Sequence, residues 1–395
     1  MIDCAIVGAG PGGLALALLL ARAGREVTVL ERTSLTVPPP GGVVLQPVTL
    51  RLFESIGLLD GLDRAGLRLE GIDEIGPAGP IFSGDYRDFT EAVPWALAVP
   101  LRELQGRLLE ALDSEPRVTL RTGTEVTAVR QPNGSCELRL SGTPTPQVVR
   151  AAYAVGADGK YSTVRTVAGF DARLAQFEDR QLIVRVPRAD DPPRVRSYRS
   201  TRPVVAVPSG PDSTHVFGAV QATELPDART ELICSLERFD ADLATRVATE
   251  GTVVALISHH TVQVRNWSIG HVALLGDSAH SVHPYGGQGV NLALQDAWLL
   301  APLLDRALSA ETPGSSENSG TATDPGAQLL AGFEQLRRPF VEAFQARQHT
   351  LMTDTAVDET LYVTGFADLS LGQREIRTLL PIPETAVITN TGRSD

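Results

Sequence analysis

The opening of the chain leaves few folds available to it: a strand-like run, three glycines at fixed spacing, an apolar helix, and a second strand that ends on an acid. Ile2 to Val7 is a short buried-strand pattern, Gly8-Ala9-Gly10-Pro11-Gly12-Gly13 follows at once, and Leu14 to Ala23 reads as a helix closed by Gly24. Glu26 to Leu30 is the second strand, apolar on both faces, as in a parallel sheet covered by helices. In such a β-α-β unit Gly8 permits the tight turn. Gly10 lets the backbone approach a pyrophosphate, and Gly13 lets helix and strand pack closely. Free amides and the macrodipole at the helix N-terminus favour the anion. Glu31, eighteen residues after Gly13 and next to Arg32, is placed to accept hydrogen bonds from an adenosine ribose. The unit predicts dinucleotide binding and does not separate FAD from NAD.

Beyond it, Pro38-Pro39-Pro40-Gly41-Gly42 cannot be regular structure, while Pro47 to Ile56 and Leu101 to Leu112 read as helices. Val118 to Leu120, Glu125 to Val129 and Cys136 to Leu140 read as strands. From about Asp171 to Arg265 the texture changes to strand-like runs, Leu182 to Val186, Val204 to Val207, His215 to Ala219 and Val253 to Ile257, with one inserted helix, Leu236 to Ala248. That pattern predicts a mainly antiparallel sheet forming a separate layer. The strand Val272 to Leu275 and a long helix, Gly289 to Leu308, come next. Ser309 to Gly326 reads as a loop, and Leu329 to Gln348 as a last helix.

Two further glycine loops follow apolar strands. Gly156-Ala157-Asp158-Gly159-Lys160-Tyr161-Ser162 opens a helix; the plainer reading is an ordinary Asp-Gly turn. Gly276-Asp277-Ser278-Ala279-His280 is followed by His283-Pro284-Tyr285-Gly286-Gly287-Gln288-Gly289-Val290-Asn291. Asp277 could take hydrogen bonds from a polyol, and the Gly286 to Gly289 backbone can lie flat against a ring. Amides at that helix start would stabilise negative charge on it.

Together the three motifs resemble the fingerprint of the flavoprotein aromatic hydroxylases, the single-component FAD monooxygenases. The run His283 to Gly289 is similar to the ubiquinone-biosynthesis hydroxylase branch. The resemblance implies an α/β fold: a Rossmann-like FAD-binding domain with an inserted, mainly antiparallel β-sheet substrate domain and C-terminal helices. The expected division is 1–66 with 101–170 and 266–310 for FAD, 67–100 with 171–265 for substrate, and 327–395 as a helical region. It implies that Gly8, Gly10, Pro11, Gly13, Glu31 and Arg32 hold the ADP part of non-covalent FAD, with the Val126 backbone near the adenine. Asp158 and Gly159 would serve FAD and NAD(P)H, Asp277 the ribityl or pyrophosphate, and Pro284, Gly287, Gln288, Gly289, Val290 and Asn291 the isoalloxazine. Relatives carry arginine in an R-x-[ED]-L helix start; here the order is Leu101-Arg102-Glu103-Leu104, so Arg102 is displaced by one.

The activity implied is hydroxylation of an electron-rich phenolic, enolic or heteroaromatic small molecule through a flavin C4a-hydroperoxide, with O2 and transient NADPH or NADH as co-substrates. Secondary metabolism is the analogous setting. His259, His260 and Tyr285 are the candidate catalytic side chains, each weighed against a satisfied, non-catalytic role. A flavin reductase or dehydrogenase without oxygen insertion, or a non-catalytic binding protein on the same fold, are the competing expectations. The halogenase string W-x-W-x-I-P is absent.

Composition bounds the partners. A net charge of -12 offers no basic stripe for nucleic acid. Cys4, Cys136 and Cys234 are too few and too scattered for a disulfide framework or a metal site. The apolar run Leu14 to Ala21 is too short to span a bilayer. A cytoplasmic monomer or homodimer, with no metal, is expected.

Overall fold

A computed structural model describes residues 1–36, 41–88, 93–142, 147–190, 192–199, 202–284, 286–310 and 324–353. Three sheets organise them. In the first, Ile2–Val7 lies between Val27–Leu30 and Gln147–Gly156, parallel to both. Val118–Arg121 extends one side and Val272–Leu274 the other, again parallel. Cys136–Ser141 and Glu125–Arg130 form an antiparallel flap on the first half of Gln147–Gly156. The apolar strands are buried because helices cover them: Pro11–Arg22 packs with Gly289–Ala310 and with Leu101–Asp113. Pro11 sits in the first turn of its helix, where a missing amide costs nothing.

The second sheet has seven strands in the order Thr252–Val264, Ala172–Pro187, Ser213–Val220, Val204–Pro208, Arg194–Tyr198, Gly71–Gly76, Gly79–Asp85. All its pairings are antiparallel except Arg194–Tyr198 with Gly71–Gly76. A small antiparallel sheet, Gly42–Leu45, Ala96–Pro100 and Leu67–Leu69, bridges the two.

The expected inserted helix Leu236 to Ala248 is in fact two, Leu225–Leu236 and Ala241–Thr249. Asp240 makes the break. Its carboxylate accepts the Leu243 amide at 2.9 Å, the Tyr198 hydroxyl at 2.5 Å and Arg196 at 3.2 Å, capping a new helix rather than continuing the old one. The last helix, Pro325–Thr353, is longer than expected, and its Leu330, Phe333, Phe340, Val341 and Phe344 belong to the same apolar core as the parallel sheet. Residues 311–323 of the expected loop, and the chain beyond 353, lie outside the described residues. Among the described residues no helix is long and apolar enough to cross a membrane.

Candidate active site

The three glycine loops converge at the carboxyl ends of the parallel strands, and each glycine of the first has a visible reason. A Cβ on Gly8, whose φ is +108°, would stand 2.4 Å from the Ala157 carbonyl oxygen, and one on Gly13 would stand 2.2 Å from that of Gly8. Both positions exclude any side chain on packing grounds. Gly10 is different: nothing lies within 4 Å of its absent Cβ. It caps the Pro11–Arg22 helix without a side-chain hydrogen bond, so the first-turn amides face open space.

That space is a groove of about 270 Å³ lined by Gly8, Gly10, Glu31, Arg32, Val126, Asp158 and Gly159, continuous through its shared residues with a larger cavity of about 610 Å³. Gly10, Pro11, Gly13, Arg32, Asp158 and Gly159 also line the larger cavity. So do Asp277, Pro284, Gly287, Gly289 and Val290 from the third loop, and His259 from the long sheet. Gly287, at φ +64°, completes a turn onto the Pro284 carbonyl at 2.9 Å and likewise has nothing within 4 Å of a Cβ position. The 22-residue helix Gly289–Ala310 starts immediately after it.

Several candidates act on the loops rather than in the cavity. The Asp158 carboxylate accepts the Ser162 hydroxyl at 2.6 Å and the Thr163 and Val164 amides at 2.7 and 3.0 Å, so it caps the next helix while its backbone faces both cavities. Glu31 accepts the Ala9 amide and the Thr33 amide and hydroxyl, each at 2.8 Å, which holds the first loop and still leaves acceptor capacity. Asn291 is fully buried and spends its side chain on the Gln46 amide (2.9 Å) and the Val44 and Gly287 carbonyls (2.8 and 3.1 Å). Gln288 is buried and does not line the cavity.

Arg102 is placed outside both cavity linings. Its side chain is 60% exposed, pairs with Glu103 at 3.7 Å, and lines neither cavity. That helix instead reaches the first loop through Gln105, which donates to the Ala9 carbonyl at 3.0 Å. His260 also points elsewhere, because adjacent strand residues face opposite ways; its ring packs on Tyr161 at 5.1 Å. Tyr285 lies outside the described residues.

Two supports were not foreseen. Asp296 is fully buried under the third loop and accepts the Gly276 amide (2.8 Å), His280 Nε2 (2.7 Å) and Arg337 Nε (2.8 Å). Burial alone would raise its carboxyl, but the charges of His280 and Arg337 and their hydrogen bonds hold it at about 2. The last helix contributes twice more. Gln345 donates to the Val262 and Ser281 carbonyls at 3.0 and 2.9 Å, and Gln348 brackets His283, donating to its carbonyl (2.8 Å) and accepting its amide (3.1 Å). Arg337 and the glutamines carry no local signature in the sequence.

Electrostatics follow burial. His259 is pushed down to about 3 by burial, with His283, Lys160 and His260 adding to it. Burial likewise lowers His283 to about 4. Burial raises the Asp277 carboxyl, against the charges of His280 and Lys160, so it gains from hydroxyl donors. A dinucleotide with a flat ring fits what is present: an open helix N-terminus at Gly10, a ribose-facing carboxylate, and a bare glycine backbone at Gly286 to Gly289. Among the described residues no His/Cys/Asp/Glu cluster could hold a metal.

A family model described as an FAD binding domain matches residues 1–319, and the chain belongs to the FAD-dependent aromatic hydroxylases. It is accordingly an FAD-dependent monooxygenase. Over 313 residues it is 32% identical to 6-methylpretetramide 4-monooxygenase of Streptomyces rimosus, covering 76% of this chain and 75% of that protein. Over 354 residues it is 30% identical to ubiquinone hydroxylase UbiL of Rhodospirillum rubrum, covering 85% and 78%. Its structure is similar to pqsL, a probable FAD-dependent monooxygenase of Pseudomonas aeruginosa, with a TM-score of 0.79, 26% identity and coverage of 92% and 99%.

Proposed function

We propose that the chain hydroxylates a phenolic, enolic or heteroaromatic ring held between the third glycine loop and the long sheet, with NADPH or NADH as transient reductant. The observation that carries this reading is the unlikeness of the cavity's two walls. One is glycine backbone and helix N-terminus. The other is a sheet face of Ile72, Val195, Val205, Val207 and Phe217, with the Tyr86 ring beside it. Bound FAD supplies the activation of dioxygen and the transfer of one oxygen atom to carbon.

The chain's residues do the rest. Gly8, Gly10, Gly13 and Glu31 hold the ADP half, Asp277 takes polyol hydroxyls, and the amides of Gly287 to Val290 oppose negative charge on the ring. The apolar wall excludes water and fixes the face the substrate presents. His259 Nε2 is buried without a partner. An imidazole held at about 3 is too weak a base to take a proton from a phenol of pKa roughly 10. We read His259 as a neutral wall residue that helps to shape the substrate's seat rather than as its base.

The test is NAD(P)H oxidation under 18O2 with a panel of hydroxyarenes. Substrate-stimulated flavin reduction and a product carrying one labelled oxygen are expected. Peroxide as the only oxygen product with every panel member would instead favour the reductase or dehydrogenase reading.

A further inference from the structure

We propose that Gln181 selects the substrate: its side-chain amide nitrogen donates to a carbonyl oxygen carried on the aromatic system, so the ring hydroxylated is that of an aryl ketone or similar conjugated carbonyl compound rather than a plain phenol. This deepens the proposed function and rests on reading the larger cavity as the substrate site.

Gln181 lies in Ala172–Pro187, paired with Ala219 on one side and Ile257 on the other, so neighbouring strands fix its backbone. Its direction follows from strand alternation. The next residue, Leu182, is fully buried in one apolar cluster with Leu232, Leu236 and Val247, on the face that the helices Leu225–Leu236 and Ala241–Thr249 cover. Gln181 is thereby turned to the opposite face and lines the cavity. Its carboxamide is presented unevenly. Oε1 is closed off inside the protein without a partner, whereas Nε2 is not closed off. Among the described residues no acceptor takes a hydrogen bond from Nε2. This is the less costly way round, because a buried N–H without a partner is rarer than an under-satisfied buried C=O.

The rest of that wall offers nothing equivalent. From the seven-stranded sheet the other described lining residues are Ile72, Val195, Val205, Val207, Phe217 and His259, and His259 has its Nε2 closed off. Gln46, beside the small sheet, has its side chain hydrogen-bonded to Tyr86. The described carboxylates that line the cavity, Asp158 and Asp277, sit on the dinucleotide side, so no anion of the sheet opposes an acceptor oxygen. A ligand pressed on this apolar face strips water from Gln181 Nε2. One with a carbonyl oxygen there restores the hydrogen bond, and one with a methylene leaves the donor dry.

The experiment uses the flavin-loaded full chain and a set of phenols that differ at a single ring position: 5-hydroxy-1-tetralone carries C=O there, 5,6,7,8-tetrahydro-1-naphthol carries CH2, and 1,2,3,4-tetrahydroquinolin-5-ol carries N–H. Binding is read from the perturbation of the flavin absorbance, independently of turnover. The ketone is expected to bind about tenfold more tightly than the methylene compound, and the N–H compound no more tightly than the methylene one. Gln181→Leu and Gln181→Met keep bulk but remove the donor. In both, ketone affinity should fall about tenfold while that of the methylene compound stays within about threefold. Flavin content and Tm report whether each variant is folded.

A ketone that fails to bind, or binds no better than the methylene compound, overturns the proposal. So does a preference for the N–H compound, which would mean that the amide oxygen faces the ligand, or an unchanged ketone preference in both folded variants. Ketone selectivity lost in the variants, with no oxygenated product from any of the phenols, would leave the proposal standing and count against hydroxylation. Oxygenation with all of them bound equally would do the reverse.

Discussion

The two walls of the cavity solve the recognition problem in opposite ways. On the dinucleotide side the polar side chains are already occupied within the protein: Asp158 caps a helix, Asn291 ties the third loop to Gln46 and Val44, and Asp296 joins Gly276, His280 and Arg337. What faces the cavity there is largely glycine-loop backbone, with Asp277, Arg32 and Lys160 beside it. On the sheet side the backbone is consumed by strand pairing, and what faces the cavity is side chains, Gln181, Val205, Phe217 and His259 among them. A wall that recognises through backbone needs its side chains to freeze that backbone, whereas one that recognises through side chains depends on which residue types its strands turn inward.

Five measurements would break or sharpen this contrast. Gly13→Ala should have the largest effect, because the new Cβ meets the Gly8 carbonyl oxygen at 2.2 Å; we expect destabilisation of about 4 kcal/mol or more in urea unfolding and loss of flavin. Asp296→Ala comes next, leaving buried Arg337 uncompensated, at about 3–5 kcal/mol. The same carboxyl sets an acid limit. Its folded value of about 2 lies below the ordinary 3.8, so its stabilisation is complete above roughly pH 4 and is lost as pH falls toward 2.

Spread over a wider pH range is the effect of His215, His259 and His283, held by burial at about 4, 3 and 4. The unfolded chain binds protons from about 6.5 downward that the folded chain refuses. Stability should therefore fall with acidification from pH 6.5 to 4, by up to about 1.4 kcal/mol per pH unit for each histidine. His215→Leu should flatten that slope without touching the cavity lining, and a slope unchanged from the wild type would contradict the assignment.

Gly10→Ala separates the walls further. With nothing within 4 Å of its Cβ the protein should keep its stability to within about 0.5 kcal/mol yet bind flavin at least about tenfold more weakly, because the methyl group occupies ligand space. Unchanged flavin affinity would show that the helix N-terminus is not the phosphate seat. Least of all, Arg102→Ala should shift stability by no more than about 0.5 kcal/mol and leave flavin content as it was, since an exposed pair at 3.7 Å contributes little.

The same contrast governs what could be read from sequence. Backbone recognition demands glycine at particular places, so Gly8, Gly10, Gly13 and Gly287 stood out as motif positions, and the β-α-β unit around the first three was legible from strand, turn and helix pattern alone. Side-chain recognition demands only that some residue of suitable type sit on the right face. Gln46 and Gln181 carry no such spacing signal, and Gln181 lies 135 residues further along the chain than Gln46. Distances of that kind also hid the Asp296–Arg337 pair, 41 residues apart. Arg102 was already displaced by one from the motif position, and the turn of the helix brings Gln105 to the Ala9 carbonyl. The break at Asp240 was missed because the cap depends on Tyr198 and Arg196 from another strand.

The bracketing of Ser281 and His283 by Gln345 and Gln348 has a consequence for how this molecule tolerates alteration. The approach to the ring-facing turn is splinted from outside by a helix that never enters the cavity, so the two stand or yield together. Cutting the chain within that helix, or drawing it away by a fused neighbour, would be felt as a slackened flavin seat although no contacting residue had changed.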